Sequence, residues 1–403
     1  MRDKFGQGCR GQVAEWQSDP LLCHSAALLP CQVRNRVVKM GGSTKTVGGR
    51  CFLIWQGVIQ QYRTHIPLSA AAPVITLNEG NTPLIRADRL AETIAPGSGL
   101  QLYLKYEGLN PTGSFKDRGM TVAISQAVYE GAQTVICAST GNTAASAAAY
   151  SARAGLRCIV LVPEGKIALG KLAACLAYGA EVVSIEGSFD DGLRLVQEIS
   201  QKYPIALVNS VNPWRLEGQK TGAFEICDQL GGRAPDWHCL PVGNAGNISA
   251  YWLGYKEYGR GLPRMIGGQA EGAAPIVRGR VVEKPETIAT AIRIGNPARW
   301  RQAVEALDES DGLIAAVSDA KILASWKQLA SQEGVFVEPA SATSLAVLQQ
   351  AIEREELDPA DKTVVCIMTG HGLKDPDTAV KLATTPQAIP ATYEALLPVV
   401  LRS

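Results

Sequence analysis

Lys116 lies inside the run Asn110-Pro-Thr-Gly-Ser-Phe-Lys-Asp-Arg-Gly119, and its position there gives its amine unusual chemistry. A strand-like segment, Leu102 to Glu107, precedes the run, and a helix-like one, Phe115 to Tyr129, follows it. Pro111 and Gly113 require a turn between the two. Ser114, with Asp117 three residues on, reads as a capping box at the helix start. Lys116 then falls in the first helical turn, where the positive end of the helix dipole disfavours a cation. Deprotonation is easier there, and easier still under partial burial. A neutral amine can form a Schiff base with a carbonyl cofactor. A surface lysine following a cap fits the same local pattern, and the run alone leaves both readings open.

Three further loops carry polar groups at strand ends. Ser139-Thr-Gly-Asn-Thr143 offers hydroxyls, the Asn142 amide and free backbone donors to a carboxylate or a polarised oxygen. Helix capping by Asn142 or Thr143 explains the same residues and is the plainer reading. In Gly243-Asn244-Ala245-Gly246-Asn247 two glycines allow a tight fold, so that several N–H groups converge on a phosphate. The alternative is a plain tight turn. This loop is not Gly-x-Gly-x-x-Gly and no Walker Gly-Lys-Ser/Thr follows it, so nucleotide motifs fit poorly. Thr369-Gly-His-Gly-Leu-Lys-Asp375 follows the last strand and offers the Thr369 hydroxyl. His371, a lone histidine between glycines, is left out of the catalytic set.

Taken together, these loops suggest pyridoxal 5'-phosphate. Lys116 would hold the aldehyde, Gly243 to Asn247 the phosphate, and Asn142 the ring hydroxyl. Thr369 would face the pyridine nitrogen. A neutral hydroxyl there, unlike a carboxylate, leaves that nitrogen largely unprotonated, which suits elimination and replacement more than transamination.

The elements around these loops alternate in β/α fashion. Strands are expected at Thr134 to Ala138, Cys158 to Val162, Glu181 to Ile185, Ile205 to Val208, Cys239 to Val242, Met265 to Ala270, Leu313 to Val317 and Thr363 to Met368. Helices are expected at Trp55 to His65, Thr143 to Ala154, Leu169 to Tyr178, Gly187 to Lys202, Gly218 to Leu230, Ile248 to Tyr258, Ala320 to Gln332 and Ser341 to Glu355. Such alternation implies α/β architecture with parallel strands covered on both faces, and ligands beyond the carboxyl ends of the strands. Residues 272–299 have mixed character.

Composition sets the outer bounds. The 403 residues are 46% hydrophobic with a formal net charge of +1, which suits two domains around a large core and argues against nucleic-acid or membrane-surface binding. Ten cysteines and four histidines are scattered with no Cys-x-x-Cys pair, so reduced thiols are expected and no local zinc site is visible. Residues 1–52 read as a non-functional extension, disordered or upstream of the true start, with Met40 an internal start candidate. The remainder, 53–403, is expected to form a smaller domain of about residues 110–205, carrying the Asn142 loop. A larger one, about 53–109 and 206–403, would carry the glycine loop.

From about residue 55 to 380 the chain resembles the threonine synthases, of the shorter type within the fold type II pyridoxal-phosphate enzymes. The likeness rests on Glu79-Gly-Asn-Thr-Pro-Leu84, the Lys116 run, the three loops above, and Asn209-Ser-Val-Asn-Pro-Trp-Arg-Leu-Glu-Gly-Gln-Lys-Thr221, the most discriminating piece. The resemblance implies two open, mainly parallel, doubly wound domains of the tryptophan synthase β-like kind. It also implies conversion of O-phospho-L-homoserine and water to L-threonine and phosphate, in a cytoplasmic homodimer. Lys116 would be the cofactor anchor and proton shuttle, and Arg215, with Asn209, Ser210 and Thr143, would bind the substrate phosphate. Ser139 and its neighbours would bind the substrate carboxylate. For Arg215 an ion pair with Glu217 is the alternative, and Lys220 either joins the phosphate or faces solvent. The runner-up activity is a threonine or serine dehydratase on the same scaffold; a non-catalytic pyridoxal-phosphate-binding scaffold is the alternative from another class.

Overall fold

The computed structural model describes strands 46–47 and 50–51 and residues 54–164, 169–187, 189–382 and 388–401. The chain separates into two units, Met1–Leu53 and Ile54–Ser403. In the first, β1 (Thr46–Val47) pairs antiparallel with β2 (Arg50–Cys51). Apart from these two strands, the expectation for residues 1–52 lies outside the described residues.

Alternating β/α segments in the second unit build two sheets. The strands are β3 (Leu84–Arg86), β4 (Gln101–Tyr106), β5 (Thr134–Ala138), β6 (Arg157–Pro163), β7 (Glu181–Ile185), β8 (Ile205–Leu207), β9 (Trp237–Pro241), β10 (Arg264–Ala270), β11 (Leu313–Val317) and β12 (Thr363–Met368). A four-stranded sheet runs β7-β6-β5-β8 and is parallel throughout. A six-stranded sheet runs β11-β10-β9-β12-β4-β3 and is parallel except for the antiparallel edge strand β3.

The central strands of each sheet are buried on both faces, while the edge strand β7 is largely exposed. On β12, Val364, Cys366 and Met368 pack with helices Asp88–Ile94, Asp319–Glu333 and Pro339–Glu353, while Val365 and Ile367 face helices Thr221–Gln229, Gly246–Tyr258 and Trp300–Glu309. The smaller sheet divides likewise. Val135 and Cys137 meet the alanine-rich helix Asn142–Ala154, and Ile136 and Ala138 meet Val196 of helix Phe189–Lys202. Two-residue alternation of side chains therefore gives four faces, each with its own core.

Several elements differ from expectation. Residues 55–65 form only a short helix, Val58–Gln61, and a 3-10 turn, Arg63–His65. The helix expected over Gly218 to Leu230 is two helices, Pro213–Gln219 and Thr221–Gln229. The first starts early because Pro213 occupies its opening turn and the Asn212 side chain accepts a bond from Trp214 N. Helices Asp88–Ile94 and Trp300–Glu309 were not anticipated. The mixed stretch 272–299 holds one short helix, Pro275–Arg278, a 3-10 turn, Thr290–Ile292, and the end of another, Glu271–Ala273.

Helix Lys116–Tyr129 crosses helix Pro213–Gln219 at two glycines. A Cβ on Gly218 would sit 1.8 Å from the Arg118 carbonyl oxygen, and one on Gly119 would sit 2.6 Å from that of Arg215. Alanine in a helix usually gains about 1 kcal/mol over glycine. Gly218→Ala is expected to reverse that sign and destabilise the protein by about 1–3 kcal/mol through overpacking. A lowered midpoint in thermal or denaturant unfolding would show it, and a raised one would refute the close crossing.

Candidate active site

Lys116 opens its helix from a turn that is pinned on both sides. Phe115 N donates to Thr369 O at 3.0 Å, His371 N to Gly113 O at 2.9 Å, and Lys374 Nζ to Thr112 O at 3.1 Å. The expected capping box is absent: Phe115 is the cap, and the Ser114 hydroxyl is buried with no hydrogen-bond partner among the described residues. The reason is that Asp117 has partners elsewhere. Its carboxylate accepts from Thr112 N (2.7 Å), Thr112 Oγ1 (2.6 Å) and Ser146 Oγ (2.6 Å). Burial nevertheless pushes the Asp117 pKa up to about 6, against those hydrogen bonds.

The Lys116 side chain is half-buried, its Nζ 4.4 Å from the centre of the Phe115 ring, with no hydrogen bond or ion pair among the described residues. Burial, and then the Arg215 guanidinium, lower its pKa from 10.5 to about 7; Glu338 pulls the other way. Arg215 is wholly buried. Its Nη1 donates to Val208 O at 2.9 Å, while Nε and Nη2 have no partner among the described residues. Burial lowers its pKa to about 10, partly offset by Cys137 and Asp117. The alternative pairing of Arg215 with Glu217 is not formed. Glu217 instead pairs with Lys220, which is buried rather than solvent-facing and also meets Glu257, each at 2.5 Å.

Asn142 and Thr369 meet at a residue that the sequence did not single out. Asn142 Nδ2 donates to both Glu338 carboxylate oxygens, at 3.0 and 3.3 Å, and Thr369 Oγ1 donates to one at 3.3 Å. Thr369 also bonds Ser341 Oγ at 2.9 Å. Burial raises the Glu338 pKa, with bonds from Asn142 and Thr369 and the charges of Lys374 and Lys116 opposing. Helix Asn142–Ala154 has Gly141 as its cap and no side-chain capping bond, so the plain capping role of Asn142 and Thr143 is not taken up. His371 accepts from Leu373 N through Nδ1 and stacks on Tyr106, ring centres 6.1 Å apart.

Gly243 to Asn247 join β9 to helix Gly246–Tyr258. Ala245 adopts the left-handed region at φ 62°, Gly243 packs on Ile292, and nothing lies within 4 Å of a Cβ placed on Gly246. Asn247 Nδ2 is buried without a partner among the described residues. Asn244 accepts bonds from Ala298 N and Arg299 N. Of the remaining sequence candidates, Ser139 Oγ accepts from Gly141 N at 3.3 Å, and Thr143 is half-exposed. The Asn209 amide is engaged on both backbone groups of Ala138, at 2.9 and 3.0 Å. The Ser210 carbonyl accepts from Arg299 Nε.

The buried groups lacking partners at these strand ends are mainly donors: Arg215 Nε and Nη2, and Asn247 Nδ2. Donors call for anionic oxygens. With a lysine of lowered pKa that feels the Arg215 charge and an open glycine loop, they fit a phosphate-bearing cofactor and a phosphate-bearing substrate, and fold and site together define a pyridoxal-phosphate-dependent enzyme. The pyridoxal-phosphate dependent enzyme family matches residues 75–370. The chain is 58% identical to a threonine synthase of Halalkalibacterium halodurans, over 85% of this chain and 97% of that one. It is 55% identical to one from Synechocystis, over 89% and 93%. The structure of processed threonine deaminase isoform 2 from Solanum lycopersicum, at 22% identity, aligns over 87% of this chain and 99% of that one with a TM-score of 0.67, a likeness of fold. The chain belongs to the threonine synthase family of pyridoxal-phosphate-dependent enzymes.

The lowered lysine pKa has a direct readout. A protonated amine does not attack an aldehyde, so capture of added pyridoxal phosphate by cofactor-free protein is expected to speed up through about pH 7 and to level off about one unit above. Absorbance stopped-flow measures that rate. A rise continuing toward pH 10, as for an ordinary lysine, would contradict the assignment.

Proposed function

We propose that this chain converts O-phospho-L-homoserine and water to L-threonine and phosphate, by γ-elimination of phosphate and β-hydration, with Lys116 and Arg215 as its central residues. The observation that carries the residue assignment is the pairing of an amine of lowered pKa with a buried guanidinium that has two open donors. Bound pyridoxal phosphate supplies the electron sink that makes protons at the substrate's α and β carbons removable. Lys116 would anchor the cofactor through its aldehyde and would move protons at those two carbons. A pKa near 7 suits an amine that must both take and give protons.

Gly243, Asn244, Ala245, Gly246 and Asn247 would hold the cofactor phosphate, Asn142 would bind the ring hydroxyl, and Thr369 would serve the ring nitrogen. Arg215 offers Nε and Nη2 as a fork to the substrate phosphate, a geometry a lysine could not match. Ser210, Thr143 and Asn209 border that phosphate, and Ser139 and its loop receive the substrate carboxylate. Because the same fork holds the phosphate as it leaves, Arg215 stabilises the charge that builds on the departing oxygen. We take the enzyme to be a cytoplasmic homodimer, for which light scattering would give twice the chain's 42.8 kDa.

The test is turnover of O-phospho-L-homoserine, followed as phosphate release with threonine formation. Ketoacid from free threonine alone would overturn the reading in favour of a dehydratase. In the same assay Arg215→Ala is expected to raise KM at least about tenfold, the loss of a charged pair of hydrogen bonds, while keeping cofactor absorbance. Loss of the cofactor instead would move Arg215 to the cofactor phosphate.

A further inference from the structure

Five consecutive carbonyls, from Leu207 to Val211, lead from β8 toward Arg215, and each one has a donor. Leu207 O accepts from Asn212 Nδ2 (2.7 Å), Val208 O from Arg215 Nη1 (2.9 Å) and Asn209 O from Asn212 N (3.0 Å). The last two, Ser210 O and Val211 O, accept from Nε (3.1 Å) and Nη2 (3.3 Å) of one guanidinium, that of Arg299, 89 residues beyond Ser210. Arg299 is also fixed to the glycine loop. Its backbone N donates to Asn244 O at 3.2 Å, and Ala298 N donates to Asn244 Oδ1 at 3.4 Å.

This guanidinium is half-buried and has no carboxylate partner among the described residues. Burial lowers its pKa, with no counter-charge acting against it. A cation kept partly out of water without an anion is an unfavourable placement, and two backbone carbonyls are its compensation.

We propose that Arg299 is a positioning residue that fixes the Asn209–Arg215 segment, from the smaller sheet, against the Gly243–Asn247 loop of the larger one. The two phosphate groups are thereby held at a set separation across the cleft. This rests on the proposed reading of those segments as the substrate-phosphate and cofactor-phosphate sites.

Arg299→Ala and Arg299→Lys holoenzymes, each assayed with O-phospho-L-homoserine beside wild type and Arg215→Ala, test it. In Arg299→Ala, KM is expected to rise about tenfold, with kcat falling less than about threefold and cofactor absorbance retained. Inhibition by inorganic phosphate should weaken in the same proportion. Arg299→Lys, whose single amine lacks the fork for two carbonyls, should give an intermediate KM. An unchanged KM in Arg299→Ala overturns the role. So does a matched loss of kcat and thermal stability at constant KM, which would mark a merely structural residue. Should the alanine variant not fold, a wild-type KM in Arg299→Lys overturns it equally. A raised KM in Arg215→Ala beside an unchanged one in Arg299→Ala would leave the phosphate subsite standing and remove Arg299 alone.

Discussion

Two basic groups, the half-buried Lys116 amine and the wholly buried Arg215 guanidinium, feel each other's charge, with Glu338 as the carboxylate whose charge reaches the lysine. Burial penalises both charges, and each charge penalises the other. Something has to give, and intrinsic basicity decides which. Arg215 starts at 12.5 and falls only to about 10, so it remains a cation at neutral pH. Lys116 starts at 10.5 and falls to about 7, so it is the group that surrenders its proton. The same arrangement therefore favours a neutral amine on the lysine and keeps a permanent positive charge on the arginine. Exchanging the two residue types would forfeit both properties.

Such a destabilised arrangement has to be held by a stiff frame, and next to it lies a balanced ionic cluster. Arg118 pairs with Glu107 at 2.7 Å and with Glu225 at 2.9 Å, and Lys105 pairs with Glu225 at 2.5 Å, all four buried. Thr82 adds a hydroxyl bond to Glu107 at 2.7 Å. These residues come from the end of β4, the Lys116 helix, helix Thr221–Gln229 and the turn before β3. Buried ion pairs gain little over well-packed apolar side chains, because desolvation offsets the attraction. What they add is direction: removing any one member strands a buried charge, so the four elements are confined to one mutual arrangement. Arg118, two residues beyond Lys116, carries that constraint into the site.

The sheet strands were largely legible because a buried parallel strand is a short apolar run closed by turn residues. β5, β7, β11 and β12 have the bounds expected from sequence. Helix Pro213–Gln219 was not legible, since Asn212-Pro213 reads locally as a turn until the side-chain cap on Trp214 is known. The fold class followed from the alternation of elements, and the polar loops followed from their composition. Glu338 and Arg299 did not, for a common reason. Their partners, Asn142 and Ser210, are 196 and 89 residues away, and neither residue sits in a pattern that marks it locally. The Ser114–Asp117 capping box failed the other way: the pattern was present, but Thr112 and Ser146 supply Asp117 with better partners than a helix end does.

How the fold treats buried polar groups separates frame from site. Glu79 is a fully buried carboxylate in no ion pair among the described residues, yet it accepts from Val58 N, Leu77 N, Thr76 Oγ1 and Tyr150 Oη at 2.8 to 3.3 Å. The chain can thus saturate a demanding group where it serves as a brace. His238 Nε2 and Tyr251 Oη, in the core of the larger sheet with ring centres 4.3 Å apart, lack partners among the described residues, but they combine a ring nitrogen with a hydroxyl and carry no charge requirement. The strand-end group is of another kind: among the described residues two guanidinium nitrogens of Arg215 and the amide nitrogen of Asn247, in an open glycine loop, have no partner. Unmet donors of that strength are costly in a closed core. They are tolerable where an anion with several oxygens completes them, which is the physical basis of the phosphate sites proposed above.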